Sequence, residues 1–193
     1  MVKALVTGGA GFIGSHLVDK LISLDYEVIC IDNEFANNDK FYWNLNAKNV
    51  KADITKYDQI KDLFNEVDYV FHLAAESRIG PAIKNPSKAA EINILGTCIV
   101  LQCARENNVK KVIYSSTSSG YGLNDFPNVE TQSDDCLNPY SVTKISAEKL
   151  CSMYTNMYKL PTIIFRYFNV YGERAPSRGQ YAPVTGIFIR QKK

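Results

Sequence analysis

Apolar residues recur along the chain in two alternating rhythms. Short runs of consecutive apolar residues are separated by stretches in which they return every third or fourth position. Val2–Thr7 reads as a strand running into glycines, and Phe12–Leu24 as a helix with apolar Ile13, Leu17, Leu21 and Leu24. Glu27–Ile31 predicts a second strand ending at Asp32-Asn33, and Val50–Asp53 a short third one. A modest helix over Tyr57–Glu66 leads to a buried strand over Asp68–Leu73. Ser87–Asn107 predicts a long helix, Lys111–Ser115 a strand, and Thr162–Tyr167 one more. Asn138-Pro139 is a cap followed by proline at the first helical position, so a helix should run from about Tyr140 toward Tyr158. Glu34–Asn46, rich in Asn and aromatics, reads as loop.

Strands alternating with helices predict an α/β fold, a Rossmann-like doubly wound parallel sheet with helices on both faces. Ligands in such sheets bind beyond the carboxyl ends of the strands. The candidate chemistry falls at those ends or on the helices that follow them.

Composition changes this picture little. A chain of 193 residues can bury one good core and begin a second unit. A net charge of +2 gives no reason to expect a nucleic-acid or membrane partner. No apolar run approaches the roughly 20 residues that span a bilayer. Met1-Val2-Lys3 leads at once into a strand, which is not the pattern of a signal peptide. Cys30, Cys98, Cys103, Cys136 and Cys151 show neither C-x-x-C spacing nor a nearby His, so free thiols in a reducing cytoplasm are expected and no metal site.

At the first turn stands Thr7-Gly8-Gly9-Ala10-Gly11-Phe12-Ile13-Gly14-Ser15. Glycines at 8, 11 and 14 permit a tight turn, close approach of backbone to a pyrophosphate, and close helix packing. The spacing is G-x-x-G-x-x-G, and its place after strand one gives it weight. Asp32 lies where an acid bonds the adenosine ribose hydroxyls, and no Arg follows, which favours NAD over NADP. An ordinary turn aspartate is the competing reading. Asp53-Ile54 could flank the adenine, or Asp53 could cap the helix beyond Thr55.

Tyr140-Ser141-Val142-Thr143-Lys144 sets a phenol and an ammonium four apart on one helical face. A free phenol, with a pKa near ~10, is a poor base at neutral pH. A lysine and a cationic nicotinamide would both favour phenolate, so Tyr140 could exchange a proton with a sugar hydroxyl. Y-x-x-x-K alone also arises as a solvated surface pair. Ser115–Ser119 supplies hydroxyls where the sheet ends.

These segments, with H-L-A-A, N-I-L-G-T and R-Y-F-N-V-Y-G, resemble the extended short-chain dehydrogenase/reductases, in order from Val2 to about Tyr181. Within them the chain is most similar to the NAD-dependent nucleotide-sugar epimerase/dehydratase group, typified by UDP-sugar 4-epimerases. The resemblance implies that Gly8, Gly11, Phe12, Ile13 and Gly14 bind the pyrophosphate of NAD. Asp32 and Asn33 would hold the ribose, and Asp53 and Ile54 the adenine. Leu73, Ala74 and Ala75 would line the dinucleotide. Asn93 would brace the sheet end, and Phe168 would contact the nicotinamide. Thr117, Tyr140 and Lys144 would form the catalytic triad. Asn169 would contact the sugar diphosphate of a nucleotide-sugar substrate, with Ser77, Arg78 and Ser118 as further sugar contacts.

Relatives that dehydrate at C6 carry Asp-Glu after the catalytic Thr, decarboxylating ones a carboxylate there, and 3,5-epimerase/reductases a cysteine. Here Ser118-Ser119 stand instead, which leaves 4-epimerisation. A dehydratase or reductase and a non-catalytic NAD-binding module are the alternatives. The resemblance further implies a dinucleotide domain over 1–168, the beginning of a substrate domain over 169–193, and a homodimer paired through the two long helices.

Overall fold

The computed structural model describes residues 1–36, 40–176, 188 and 191. Six strands form one sheet, in chain order β1 (Lys3–Thr7), β2 (Glu27–Asp32), β3 (Lys48–Lys51), β4 (Tyr69–His72), β5 (Lys111–Thr117) and β6 (Thr162–Tyr167). Their spatial order is β3-β2-β1-β4-β5-β6, with every neighbouring pair parallel. The chain therefore winds outward from β1 in both directions, and the order reverses between β1 and β4. Such a reversal opens a crevice at the carboxyl ends of the strands.

Helices α1 (Phe12–Ser23), α2 (Tyr57–Ile60), α3 (Ile79–Lys84), α4 (Pro86–Ala90), α5 (Thr97–Glu106) and α6 (Pro139–Tyr158) fill the connections. In the larger core cluster, Val70, Val100, Leu101, Val112 and Tyr114 are buried among Ile29, Ile60 and Phe64. A smaller cluster of Ala4, Val6, Val18, Leu21, Val28 and Cys30 packs around α1. No helix among the described residues is long and apolar enough to cross a membrane.

Several expected elements shift. In α1 the buried face is Gly14, Ser15, Val18 and Leu21, while Leu24 is half exposed beyond the helix end. Close contact at Gly14 turns the helix, so its orientation follows the glycine rather than the row of leucines. The third strand ends at Lys51, two residues before Asp53, because its register is set by pairing with Ile29–Asp32. The helix expected over 57–66 closes in a tighter turn over Lys61–Phe64, which brings Ile60 and Phe64 into the core together.

Gly80 and Pro81, residue types that usually end helices, lie inside α3. Pro81 falls in its first turn, where a missing N–H leaves no helical bond unmade. The long helical run begins at Pro86, capped by the Asn85 side chain accepting the Lys88 N–H at 3.1 Å. At Glu91–Gly96 it widens into a π turn before α5 resumes.

Candidate active site

Gly8 leaves β1 with φ +70°, a conformation that glycine adopts without steric cost. A Cβ there would stand 2.8 Å from the Ala74 nitrogen, so β1 and the chain leaving β4 meet backbone to backbone. A Cβ on Gly14 would stand 2.1 Å from the Gly8 carbonyl oxygen, which is why α1 can rest directly on the turn. No side chain caps α1 and no acid lies in its first turn, leaving those N–H groups open to an anion.

Asp32, at the end of β2, accepts N–H bonds from Ala10 at 3.2 Å and Glu34 at 2.8 Å. Burial pushes its carboxyl above the usual range, with those two bonds pulling the other way. Asn33 turns its Oδ1 to the Phe35 N–H at 3.0 Å. Asp53 does not cap α2, whose N-cap is Lys56. The Asp53 Oδ1 accepts the Thr55 N–H and hydroxyl at 2.9 and 2.8 Å, and Asp53 also faces the crevice. Burial acts to raise its pKa, but Thr55 and the charge of Lys88 hold it below the usual carboxylate range.

The crevice is a cleft of about 540 Å³. Gly8, Gly11, Phe12, Ile13 and Gly14 line one end, with Asp32, Asn33, Asp53 and Ile54 beside them. Leu73, Ala74 and Ala75 form its floor, and Ser77 and Arg78 continue it. Thr117, Tyr140 and Lys144 line the other end, together with Phe168. Residues spread over nearly the whole chain thus meet in one continuous space.

Tyr140 and Lys144 occupy successive turns at the start of α6. That start is fixed by a reciprocal cap, in which the Ser141 N–H donates to Asn138 Oδ1 at 3.0 Å and the Asn138 N–H to Ser141 Oγ at 3.3 Å. Lys144 is 3% exposed. Its Nζ donates to the Ser115 carbonyl at 2.6 Å and lies 4.3 Å from the centre of the Tyr114 ring. Burial pushes its ammonium down to about 7.

The phenol departs from expectation. Burial raises the Tyr140 pKa above the ordinary value, opposed by the Thr117 hydroxyl and reinforced by the Glu76 carboxylate. Lys144 does not by itself make this phenol acidic. Its Nζ is bonded to the Ser115 carbonyl, and burial lowers its pKa.

A chain of buried polar groups ties the two ends together. The Ala74 N–H donates to Thr7 Oγ1 at 3.2 Å, and that hydroxyl meets His72 Nδ1 at 2.6 Å. His72 Nε2 meets Thr97 Oγ1 at 2.9 Å, and Thr97 donates to the Asn93 carbonyl at 2.6 Å. The donors run in one direction, so His72 is neutral with its proton on Nε2. Burial pushes its pKa down to about 3, consistent with that form.

The Asn93 side chain brackets Glu76, accepting its N–H at 2.8 Å and donating to its carbonyl at 3.0 Å. The same amide donates to Thr143 Oγ1 at 2.9 Å, which donates to the Tyr140 carbonyl at 2.9 Å. Asn93 is buried and does not line the cleft; it braces Glu76, next to the lining residue Ser77, and Thr143, which bonds the lining residue Tyr140. Sequence reasoning gave no role to His72 or Thr97, although they stand in the H-L-A-A and N-I-L-G-T segments, nor to Glu76. It also missed the cluster behind Thr117, where Ser116 donates to Glu148 and Arg166 binds Glu148 and Asp134, each at 2.7 Å through Nη2.

Arg78 reaches the cleft but is held by Glu76, with Nε 3.2 Å from Oε1. Ser118 lies in a half-buried turn and Asn169 is exposed; neither lines the cleft among the described residues. Most of the unit expected over 169–193 lies outside the described residues.

A parallel sheet whose glycine turn, first helix and second-strand acid share one crevice defines a dinucleotide-binding α/β protein. The chain belongs to the NAD dependent epimerase/dehydratase family, whose pattern it matches over residues 4–193. It is 40% identical over 188 residues to a putative UDP-glucose 4-epimerase of Methanocaldococcus jannaschii, covering 96% of this chain and 61% of that protein. It is 37% identical to a UDP-N-acetyl-alpha-D-glucosaminuronate decarboxylase of Bacillus cytotoxicus, covering 97% of this chain and 60% of that one. Among solved structures, the UDP-glucose 4-epimerase of Thermotoga maritima with UDP-glucose superposes with a TM-score of 0.92 at 36% identity. That match covers 98% of this chain and 62% of that one, so the chain spans about three fifths of the relatives it matches. NAD is the family's cofactor, and the Gly8–Gly14 cradle, the open first turn of α1 and Asp32 fit it.

Proposed function

We propose that this chain carries the cofactor and proton-transfer machinery of an enzyme that epimerises a nucleotide-activated sugar, a UDP-sugar at C4, through a transient 4-keto form. The observation that supports this most is that Thr117, Tyr140 and Lys144 share one cleft with the glycine cradle. Bound NAD supplies a hydride acceptor and donor. Gly8, Gly11, Phe12, Ile13 and Gly14 would hold its pyrophosphate, Asp32 and Asn33 its ribose, Asp53 and Ile54 its adenine, and Leu73, Ala74, Ala75 and Phe168 the remainder.

Thr117 would hold the sugar oxygen while Tyr140 takes and returns its proton. Lys144 keeps the far side of the site in register through Ser115. A phenol raised by burial is a poor base until a positive charge enters the cleft, so proton removal is gated by cofactor occupancy. Ser77 and Arg78 would contact the sugar, with Ser118 and Asn169 reached by its outer parts. No carboxylate follows Thr117, as Ser118 and Ser119 stand there, which favours epimerisation over elimination or decarboxylation. The exposed apolar residues of α6, Val142 and Met157, support a homodimer paired through the long helices; a monomer by sedimentation at micromolar protein would count against it.

The test is incubation with NAD and UDP-glucose, UDP-galactose and their N-acetyl forms, with product isomers resolved by NMR. Interconversion that Tyr140→Phe abolishes is the expected result. Sustained NADH or an accumulating keto sugar would point instead to a dehydratase or reductase. NAD binding with no turnover of any sugar would leave a non-catalytic dinucleotide module.

A further inference from the structure

Next to the adenosine end of the cleft, beside its lining residues Asp32, Asn33 and Phe35, lies a charge arrangement that the glycine cradle and Asp32 do not require. Asp32 and Lys51 are direct partners in the parallel register of β2 and β3, so their side chains leave the same face at the crevice end. An ammonium beside Asp32 is what a 2′-phosphate on the ribose would need. Lys51 is not free to provide it, because its Nζ is paired with Glu34 Oε2.

Glu34 is itself anchored rather than loose on the surface. Its N–H donates to Asp32 Oδ1 at 2.8 Å, and its Oε1 accepts the Trp43 Nε1–H at 3.0 Å. Trp43 packs against the smaller core cluster, so the carboxylate is held on both oxygens by groups of different origin. Lys88 also lies near this end, 6.0 Å from the centre of the Phe35 ring, and it is likewise matched, by Glu91 at 2.9 Å.

We propose that Glu34 is a specificity-determining residue for the dinucleotide: by pairing with Lys51 beside Asp32, it denies a 2′-phosphate the cation that would offset the Asp32 carboxylate. Discrimination against NADP then rests on two acids, one of which acts by masking a lysine that would otherwise favour the wrong cofactor. The inference rests on NAD being the cofactor.

Calorimetric titration with NAD and with NADP, at one fixed ionic strength, separates the outcomes for wild type, Glu34→Gln, Lys51→Met and the double variant. Glu34→Gln keeps the shape and the Trp43 bond while releasing Lys51. Its NADP affinity should rise about three- to tenfold, with NAD affinity changed less than about twofold. The double variant should lose most of that gain, and Lys51→Met alone should leave NADP binding as weak as in wild type.

An unchanged NAD/NADP ratio in Glu34→Gln overturns the proposal, as does a gain that survives in the double variant. NADP binding too weak to measure at millimolar ligand in every variant also overturns it. Wild type that binds NAD while the ratio stays fixed rejects only the role of Glu34. Wild type that takes up neither dinucleotide rejects the cofactor reading as well.

Discussion

The two ends of the cleft are built from different materials. At the dinucleotide end the working surface is main chain: Gly8 against Ala74, Gly14 against Gly8, and the uncapped first turn of α1. At the proton-transfer end it is side chain, tied by side-chain bonds to carbonyls and to other side chains, from Thr117, Tyr140 and Lys144 back through Ser115, Thr143, Asn93 and Thr97 to His72. A backbone surface tolerates no added atoms but needs few partners. A side-chain surface can be mutated without clash, yet each member depends on the protonation and orientation of the next.

The sharpest break of this contrast is Tyr140→Phe. Losing the hydroxyl should cut turnover of an accepted UDP-sugar by about 10³-fold while NAD affinity stays within about threefold, read by steady-state rates and calorimetry. A parallel loss of both would mean that the two ends are not separable.

Gly14→Ala attacks the other end. The added methyl meets the Gly8 carbonyl, so stability should fall by about 3 kcal/mol by urea unfolding, and NAD affinity by at least about tenfold. Full NAD binding in this variant would contradict the backbone cradle.

His72→Leu tests the tie between the ends. Leaving the Thr7 and Thr97 hydroxyls without their partner should cost about 2 kcal/mol at pH 7. Folded His72 takes a proton only near 3, whereas an unfolded imidazole takes one near ~6.5. Wild type therefore loses stability as pH falls from about 6.5 toward 3, and the variant should show a flatter acid limb over that window.

Lys144→Met gives the smallest effect. An unfolded lysine keeps its proton to about 10, while the folded one releases it near 7, so wild-type stability rises with pH between those values. The variant lacks that rise, and unfolding at pH 7 and 9 should show the difference shifting toward wild type by about 1–2 kcal/mol.

The same contrast explains what could be read in advance. Backbone requirements leave glycines at fixed spacing, and alternating rhythms leave strands and helices, so the parallel sheet, the cradle and Asp32 were all legible. Tyr140 and Lys144 were legible as a spacing, but their electrostatics were not. The direction of the Tyr140 shift depends on burial and on Glu76, 64 positions away in the chain, whose placement needs Asn93. His72 looked like an interior residue of a strand because its two partners, Thr7 and Thr97, arrive only through the sheet order. The π turn and α3 were hidden for local reasons: the first keeps an ordinary helical sequence, and the second opens with residues that usually end helices.

That π turn makes the long helix sensitive to length. Removing any one residue inside Glu91–Gly96 would restore ordinary pitch and rotate everything upstream by about a quarter to a third of a turn. Asn93 would then point away from Glu76 and Thr143. In this stretch a single-codon deletion should do more harm than most substitutions, and gapless spacing between Pro86 and Thr97 is a condition on the site.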